Sequence, residues 1–401
     1  MHHSRRNATL IALSFVAFVS LGLPDGVLSV AWPSIRGTFD VPISRLGTLL
    51  PFGVAAYIVS SGLSGPFERR FGVGWLLLAS TFLGTAGLFV FAVSPAWWWL
   101  IFAMLLGGLG AGGIDAGLNA FAAARFGPKI VSWLHASWGV GVTAGPLLMT
   151  SILVAGLSWR WGYAVIAGVL GSLVLLFWVT RRLWRVAEQT QESPAPERAT
   201  MYATLRLPLA WMHLGVFWIY CGLEAGAGQL AYSVLTEQRG VPEGAAGVVI
   251  GGYWAAITVG RIAFGPLASR WSAETLLRLG TFVAPIGVAL FWWNVADWVS
   301  FVGLIVLGLG LAPIFPMMMS ITADRLGAQH GPNAVGLQVS AAGVGFATLP
   351  GLTAMLMHRG GLEMLGPCLL TMAIVLLLLQ EIAARSHART RTFPAYHRRS
   401  G

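Results

Sequence analysis

The chain has 401 residues, 56% of them hydrophobic and 10% charged, with a mean hydropathy of +0.73 and a formal net charge of +10. Water-soluble domains carry about 25% charged residues, so this composition excludes a soluble enzyme or binding module and predicts an integral membrane protein. The positive balance does not point to nucleic acid, because the cations sit in short segments between apolar runs.

The first apolar run, roughly 9–31, is long enough to cross a bilayer at about 20 residues per span. It carries no small-residue cleavage site of the kind that ends a secretory leader. Asp25 interrupts it, within Leu21-Gly22-Leu23-Pro24-Asp25-Gly26. A charge at membrane depth costs at least ~2.5–3.5 kcal/mol, so Asp25 is expected to face a polar cavity and to be functional. Pro24 and Gly26 are expected to loosen the helix around it. Further spans are predicted at 46–66, 74–93, 97–124, 131–156, 162–180, 208–235, 244–264, 275–293, 298–322, 333–357 and 363–384. The polar stretch 181–207, with Glu188, Glu192, Pro194 and Pro196, reads as a cytoplasmic linker between two six-helix halves, 1–180 and 208–385. Residues 386–401 read as a basic tail. Cys221 and Cys368 both fall inside spans, which argues against a disulfide or a metal site.

Topology follows from the cations. With the N-terminus cytoplasmic, the inside segments hold Arg5, Arg6, Arg69, Arg70, Arg125, Lys129, Arg181, Arg182, Arg270, Arg278, Arg325 and the arginines of the linker and tail. The outside loops hold Arg36, Arg45, Arg160, Arg239 and Arg359, and Arg261 is left near a helix end. Both termini are therefore predicted to be cytoplasmic, with the protein in the cell (inner) membrane.

The halves also repeat. Gly22-Leu23-Pro24-Asp25-Gly26 aligns with Gly222-Leu223-Glu224-Ala225-Gly226. At the same spacing, Gly65-Pro66-Phe67-Glu68-Arg69-Arg70-Phe71 aligns with Gly265-Pro266-Leu267-Ala268-Ser269-Arg270-Trp271, and Gly108-Leu109-Gly110 with Gly308-Leu309-Gly310. Gly139-Val140-Gly141 and Pro146 match Gly343-Val344-Gly345 and Pro350, four residues further apart. A parallel repeat of this kind places a solute site between the halves, near mid-bilayer.

Three of the fifteen acids, Asp25, Asp115 and Glu224, are read as lying inside spans. At 1.5 Å rise per residue, Asp25 lies ~22 Å from the start of span one and Asp115 ~15 Å from the end of span four, at comparable depth. Both are candidates for proton coupling, as a pair titrating together, or alternatively for fixing helix packing. Asn119 shares a helix face with Asp115 and can donate to and accept from a sugar hydroxyl, or bond between helices. Glu224 is a candidate for substrate contact, and Gln229 lies ~140° around the helix from it, so the two are not expected to form one clamp. Gln338 is a further candidate. His135 is read as a proton relay or as a partly solvated helix-end histidine. Trp138 and Trp254, with Trp133 and Trp218, offer flat faces on which a sugar ring can stack, or ordinary packing. Trp97, Trp98, Trp99, Trp159, Trp161, Trp292 and Trp293 sit at span ends as interfacial anchors.

The twelve spans, the central linker and the basic loops after spans two and eight resemble the major facilitator superfamily. Gly22-Leu23-Pro24-Asp25-Gly26, Gly112-Gly113-Ile114-Asp115-Ala116-Gly117-Leu118-Asn119, Trp133-Leu134-His135 and Gly139-Val140-Gly141 resemble its fucose-permease-like branch of sugar:proton symporters. The resemblance implies an all-α fold of twelve transmembrane helices in two pseudo-symmetric halves. The family's loop normally carries Asp where this chain has Arg69 and Ser269; Glu68 stands one residue early, and Glu68, Arg69, Arg70 and Arg270 are the implied gating residues. The branch tends to carry Glu and Asn where this chain has Asp115 and Ser132. Gly141-x-x-x-Gly145-Pro146 resembles a flexible motif of superfamily exchangers.

The function expected is proton-coupled symport of a sugar or similar small polar solute by alternating access; the alternative is proton-driven efflux of a drug-like or amphipathic metabolite. No nucleophile with a paired base, metal-ligand cluster or nucleotide loop is present in the sequence, so no enzyme activity and no cofactor beyond the proton gradient are expected. The expected partners are a small-molecule substrate and the lipid bilayer, with no nucleic acid and a monomeric state.

Overall fold

The computed structural model describes residues 2–126, 128–185, 199–267 and 270–392, which form helices and short turns with no strand among them. The first six long helices are α1 (His2–Phe39), α2 (Leu46–Phe71), α3 (Val73–Val93), α4 (Trp98–Phe126), α5 (Pro128–Val154) and α6 (Trp159–Arg185). A short α7 (Met201–Leu205) precedes α8 (Pro208–Ser233), α9 (Glu243–Leu267), α10 (Ala273–Trp293), α11 (Asp297–Leu311), α12 (Ile314–Leu326), α13 (Gly331–Gly360) and α14 (Leu365–Thr392). Among the described residues, eleven stretches are long and apolar enough to cross a membrane, with α11 and α12 counted as one. The remaining long helix, α8, has 26 residues, enough for a span, but carries His213, Glu224 and Gln229. The architecture is the twelve-helix one expected.

The turns follow from residue chemistry. Gly72 joins α2 to α3 at φ 86°, a conformation open to glycine, and its N–H bonds the Glu68 carbonyl at 2.7 Å. The corresponding position in the second half is Ser272, which caps α10 by accepting from the Thr275 N–H at 3.1 Å.

The repeat seen in sequence reappears in the packing. A Cβ on Gly110 would lie 2.6 Å from Gly84 N and Ser80 O; one on Gly310 would lie 2.8 Å from Ala284 N and 3.1 Å from Gly280 O. Gly87 meets Ala103 and Gly107 just as Gly287 meets Gly303 and Leu307. Each pair is displaced by the same interval along the chain, so both halves use small residues to bring α3 onto α4 and α10 onto α11.

Four expectations need correcting. α1 runs unbroken past Pro24: the proline removes one N–H, while Gly22 and Gly26 are seated on α5 and hold the segment in place. Span ten is divided at Ala312 and Pro313, where proline replaces the Gly113 of the first half and its ring packs on Gly280. The stretch 181–207 is not all loose linker: α6 reaches Arg185, and α7 is capped by Thr200, with Thr204 bonded to His330 at 3.0 Å. The last helix continues to Thr392, beyond its expected end. Linker residues 186–198 and tail residues 393–401 lie outside the described residues.

By packing, the chain divides into two compact units. One holds the first six long helices with 225–258 and 347–365; the other holds the described residues of 193–224, 259–346 and 366–401. The first has a core in which Phe18, Leu77, Leu118, Leu134, Phe177 and Trp184 are buried. At the end of α1 remote from the N-terminus, the same unit joins residues of both halves. Arg36 pairs with Glu237, on a π-turn (Val234–Gln238) that extends α8. Arg239 grips Glu363 with two bonds of 2.8 and 2.7 Å. Nearby, α2 and α13 meet backbone to backbone, so that a Cβ on Gly47 would lie 2.7 Å from Gly351 Cα.

Candidate functional site

The site in the first unit begins with glycines. A Cβ on Gly26 would lie 2.6 Å from both Pro146 Cδ and Val142 O, and one on Gly141 would lie 2.9 Å from Leu23 N. Gly145 packs on Leu23 in the same way. The Gly141-x-x-x-Gly145-Pro146 segment is thus a surface on which α1 and α5 approach closely, and the approach sets Asp25 beside Trp138. Trp138 Nε1 donates to Asp25 Oδ2 at 3.0 Å, and the Asp25 side remains exposed although it lies mid-helix. Gln229 of α8 donates to the Asp25 backbone carbonyl at 3.0 Å. Trp254 of α9, buried against Gly228, meets Trp138 edge to face with centroids 6.3 Å apart. Asp25, Trp138, Gln229 and Trp254, chosen separately from sequence, are therefore neighbours.

Asp115 is built by α2 against α4. Gly108 and Gly112 admit α2 closely, with Ser60 bonded to the Leu109 carbonyl at 2.6 Å and Ser61 to the Gly112 carbonyl at 3.1 Å. This places the Tyr57 hydroxyl as a donor to Asp115 Oδ2, while Asn119 Nδ2 donates to Oδ1 at 2.9 Å. Asp115 and Asn119 do share a face, and the amide's first partner is the carboxylate itself. The Asp25 and Asp115 charges are close enough to interact. Neither carboxyl has an arginine, lysine or histidine within ion-pair distance among the described residues. Asn119 Oδ1, Gln229 Oε1 and Trp254 Nε1 are buried with no hydrogen-bond partner among the described residues.

Glu224 has a different environment, in the second unit. Tyr220 donates its hydroxyl to Glu224 Oε2, Arg261 lies 3.3 Å from the same oxygen, and Arg261 also reaches the Tyr220 oxygen at 3.0 Å. Arg261, counted from sequence only as a helix-end cation, is the counter-ion of this acid. Gln338 is fully buried and its amide is engaged by His213 at 2.9 Å and Thr322 at 2.9 and 3.1 Å. Beside it Arg325, also 3.4 Å from His213, pairs with Glu274 at 2.6 Å. That network fixes α8, α10, α12 and α13 to one another. Glu381, well inside the last span, pairs with Arg278 and Arg385, so the expectation of three acids within spans was too low.

The remaining candidates are placed elsewhere. His135 is exposed on α5 with its ring edge-on to Phe18 at 5.6 Å. Glu68, Arg69 and Arg70 close α2, with Arg70 over the Phe71 ring at 5.2 Å, and Arg270 lies exposed in the turn before α10. Trp133 is 51% exposed, on the outside of α5. Sequence reasoning passed over Tyr57, Tyr220 and Arg261. The signal available for each was a polar side chain inside an apolar run, the same one that exposed Asp25.

The sequence profile of the Major Facilitator Superfamily matches residues 12–233 and 214–395. An uncharacterised transporter of Sinorhizobium fredii, y4wD, is 26% identical over 323 residues, covering 76% of this chain and 81% of its own. The 3-(3-hydroxy-phenyl)propionate transporter of Escherichia coli is 26% identical over 389 residues, 87% of this chain and 92% of its own. Among solved structures, the nucleoside transporter NupG superposes with a TM-score of 0.74 at 14% identity, over 95% of this chain and 98% of its own.

Proposed function

The chain belongs to the Major Facilitator Superfamily, and from that premise we propose that it is a proton-coupled symporter of a neutral polyhydroxy solute, a sugar in the simplest case. The reading places it in the fucose-permease-like branch, in the cell membrane with both termini cytoplasmic, as a monomer of two six-helix halves. The proton gradient is its only energy source and it performs no covalent chemistry.

One observation carries the reading. Asp25 and Asp115 sit mid-span and, among the described residues, are held by neutral donors, an indole for the first and a phenol and an amide for the second. No cation among the described residues neutralises either carboxylate, and a proton removes that charge outright. Glu224, with Arg261 beside it, has no such need. Asp25 and Asp115 are thus suited to load and release protons, and Glu224 to hold α8 against α9.

The solute class follows from the orphaned atoms. Two acceptors, Asn119 Oδ1 and Gln229 Oε1, and one donor, Trp254 Nε1, await partners, and hydroxyl groups both donate and accept. The edge-to-face indoles Trp138 and Trp254 add an apolar surface of the kind a sugar ring covers. A carboxylate solute, such as the one named for the Escherichia coli relative, would enter against two acids. In the cycle proposed, protons reach Asp25 and Asp115 from the outer side, the solute engages Asn119, Gln229 and an indole, and the halves rock to release both inward.

The test is transport in proteoliposomes under an imposed pH gradient, with sugars, aromatic acids and amphipathic drugs as solutes. The reading expects a sugar to accumulate on the alkaline side with proton movement in the same direction. Accumulation of a drug against the proton flow assigns efflux instead, and uptake of an aromatic acid alone removes the sugar.

A further inference from the structure

A second candidate site lies on the exposed apolar surface of the first unit, lined by none of the residues around the carboxyls. Between α3 and α6 runs a groove of about 840 Å³. Its walls are large side chains, Phe82, Phe89 and Trp161, each more than half exposed, and its floor is small, with Ala86, Ala164 and Gly168. A Cβ at Gly168 would meet nothing within 4 Å, so the floor is open rather than tightly packed. Bulky residues beside small ones leave a slot lined almost wholly by carbon.

The mouth of the slot is charged. Arg160, in the first turn of α6, donates Nη2 to the Ser94 carbonyl at 2.6 Å, and its guanidinium lies 4.5 Å from the Trp159 ring centroid. These contacts fix the side chain and leave its charge uncancelled, because no carboxylate is within ion-pair distance of Arg160 among the described residues. The helix N-terminus at the same place adds positive potential. A comparable groove in the second unit, about 610 Å³ between α10 and α14, contains Phe282 and Arg278, but there Glu381 lies 3.1 Å from Arg278 and neutralises it.

We propose that the α3/α6 groove binds an anionic phospholipid, with an acyl chain in the slot and the phosphate on Arg160. Position favours this occupant: an apolar channel ends at a fixed cation with no carboxylate in ion-pair distance among the described residues, held over Trp159, which is buried rather than the interfacial anchor expected, and beside the exposed Trp161. A zwitterionic lipid brings a cation of its own to the same guanidinium and gains less. The α10/α14 groove accepts chains without discriminating headgroups.

The experiment uses the full-length protein, delipidated in detergent and given equimolar phosphatidylglycerol and phosphatidylcholine, with retained lipids counted by native mass spectrometry. The expected preference for phosphatidylglycerol is about fivefold, the ratio that ~1 kcal/mol per basic side chain supports. Arg160→Gln should bring the ratio close to one, while Arg160→Lys keeps most of it and serves as the folded reference. Arg278→Gln should leave the ratio unchanged, and Gly168→Leu, which fills the floor, should lower the number of lipids retained. A preference that survives Arg160→Gln, or that follows Arg278→Gln, overturns the proposal. So does a lipid-free dimer dissociated by Gly168→Leu, which would assign the groove to a second copy of the chain.

Discussion

Replacing Asp25 with Asn separates proton coupling from solute binding. The amide has nearly the shape of the carboxyl, and its oxygen can still accept from Trp138 Nε1, now at 3.0 Å. What changes is the strength of that bond. A hydrogen bond to a charged acceptor contributes about 1.5–3 kcal/mol and a neutral one about 0.5–1.5, so the variant loses ~1 kcal/mol at this contact, not the fold. Exchange of labelled for unlabelled solute across the vesicle should therefore persist, slowed by no more than about tenfold. Gradient-driven accumulation is a different matter. For one proton per solute, a gradient of one pH unit is worth ~1.36 kcal/mol and supports about tenfold accumulation. If Asp25 is an obligatory carrier, Asp25→Asn should equilibrate the solute and concentrate it no further. Asp115→Asn provides the companion measurement, since the two charges interact. Should the double variant still accumulate solute when only a pH gradient is imposed, proton carriage by these carboxyls is refuted.

Other perturbations probe separate parts of the molecule. Tyr57→Phe removes the phenolic donor to Asp115; at about 1.5–3 kcal/mol for a bond to a charged group, the midpoint of thermal unfolding should drop by that equivalent, and uptake should fall with it. Arg261→Gln strands Glu224 in a mostly buried site, and the midpoint of thermal unfolding should drop by the equivalent of about 3 kcal/mol, largely restored by adding Glu224→Gln. Gly26→Val drives a side chain into Pro146 and Val142, for which overpacking of about 1–3 kcal/mol predicts poor yield and early unfolding. Gly62→Val, at a position with open space around it, is the control and should behave as the parent.

Much of this was readable in the chain because the bilayer is a severe solvent. A run without charges has few other fates than to span, so the helices and the twofold internal repeat appear directly in the letters. Asp25 stood out for the same reason. Which groups meet across helices was not readable, because it depends on how each cylinder is rotated about its axis. Gln338 looks like a ligand contact until His213 and Thr322 are seen to occupy its amide. Arg261 looks like a topology marker until α9 turns it toward Glu224. The glycines of α5 suggested pliancy, and their neighbours show contact instead. Span ten, expected to be continuous, is broken at Pro313, whereas Pro24, equally internal and expected to loosen its helix, breaks nothing. Packing around each proline decides the outcome.

The bare meeting of Gly47 with Gly351 has a mechanical meaning. Two ribbons touching without side chains between them have no knobs to withdraw and no rotamers to reset when they part. Resistance to separation then falls to the neighbouring Arg36–Glu237 link, whose members are 19% and 30% exposed and so feel dissolved electrolyte. This rim of the protein should work as a smooth seam with an ionic clasp beside it, and its readiness to open should rise with the salt of the medium bathing it.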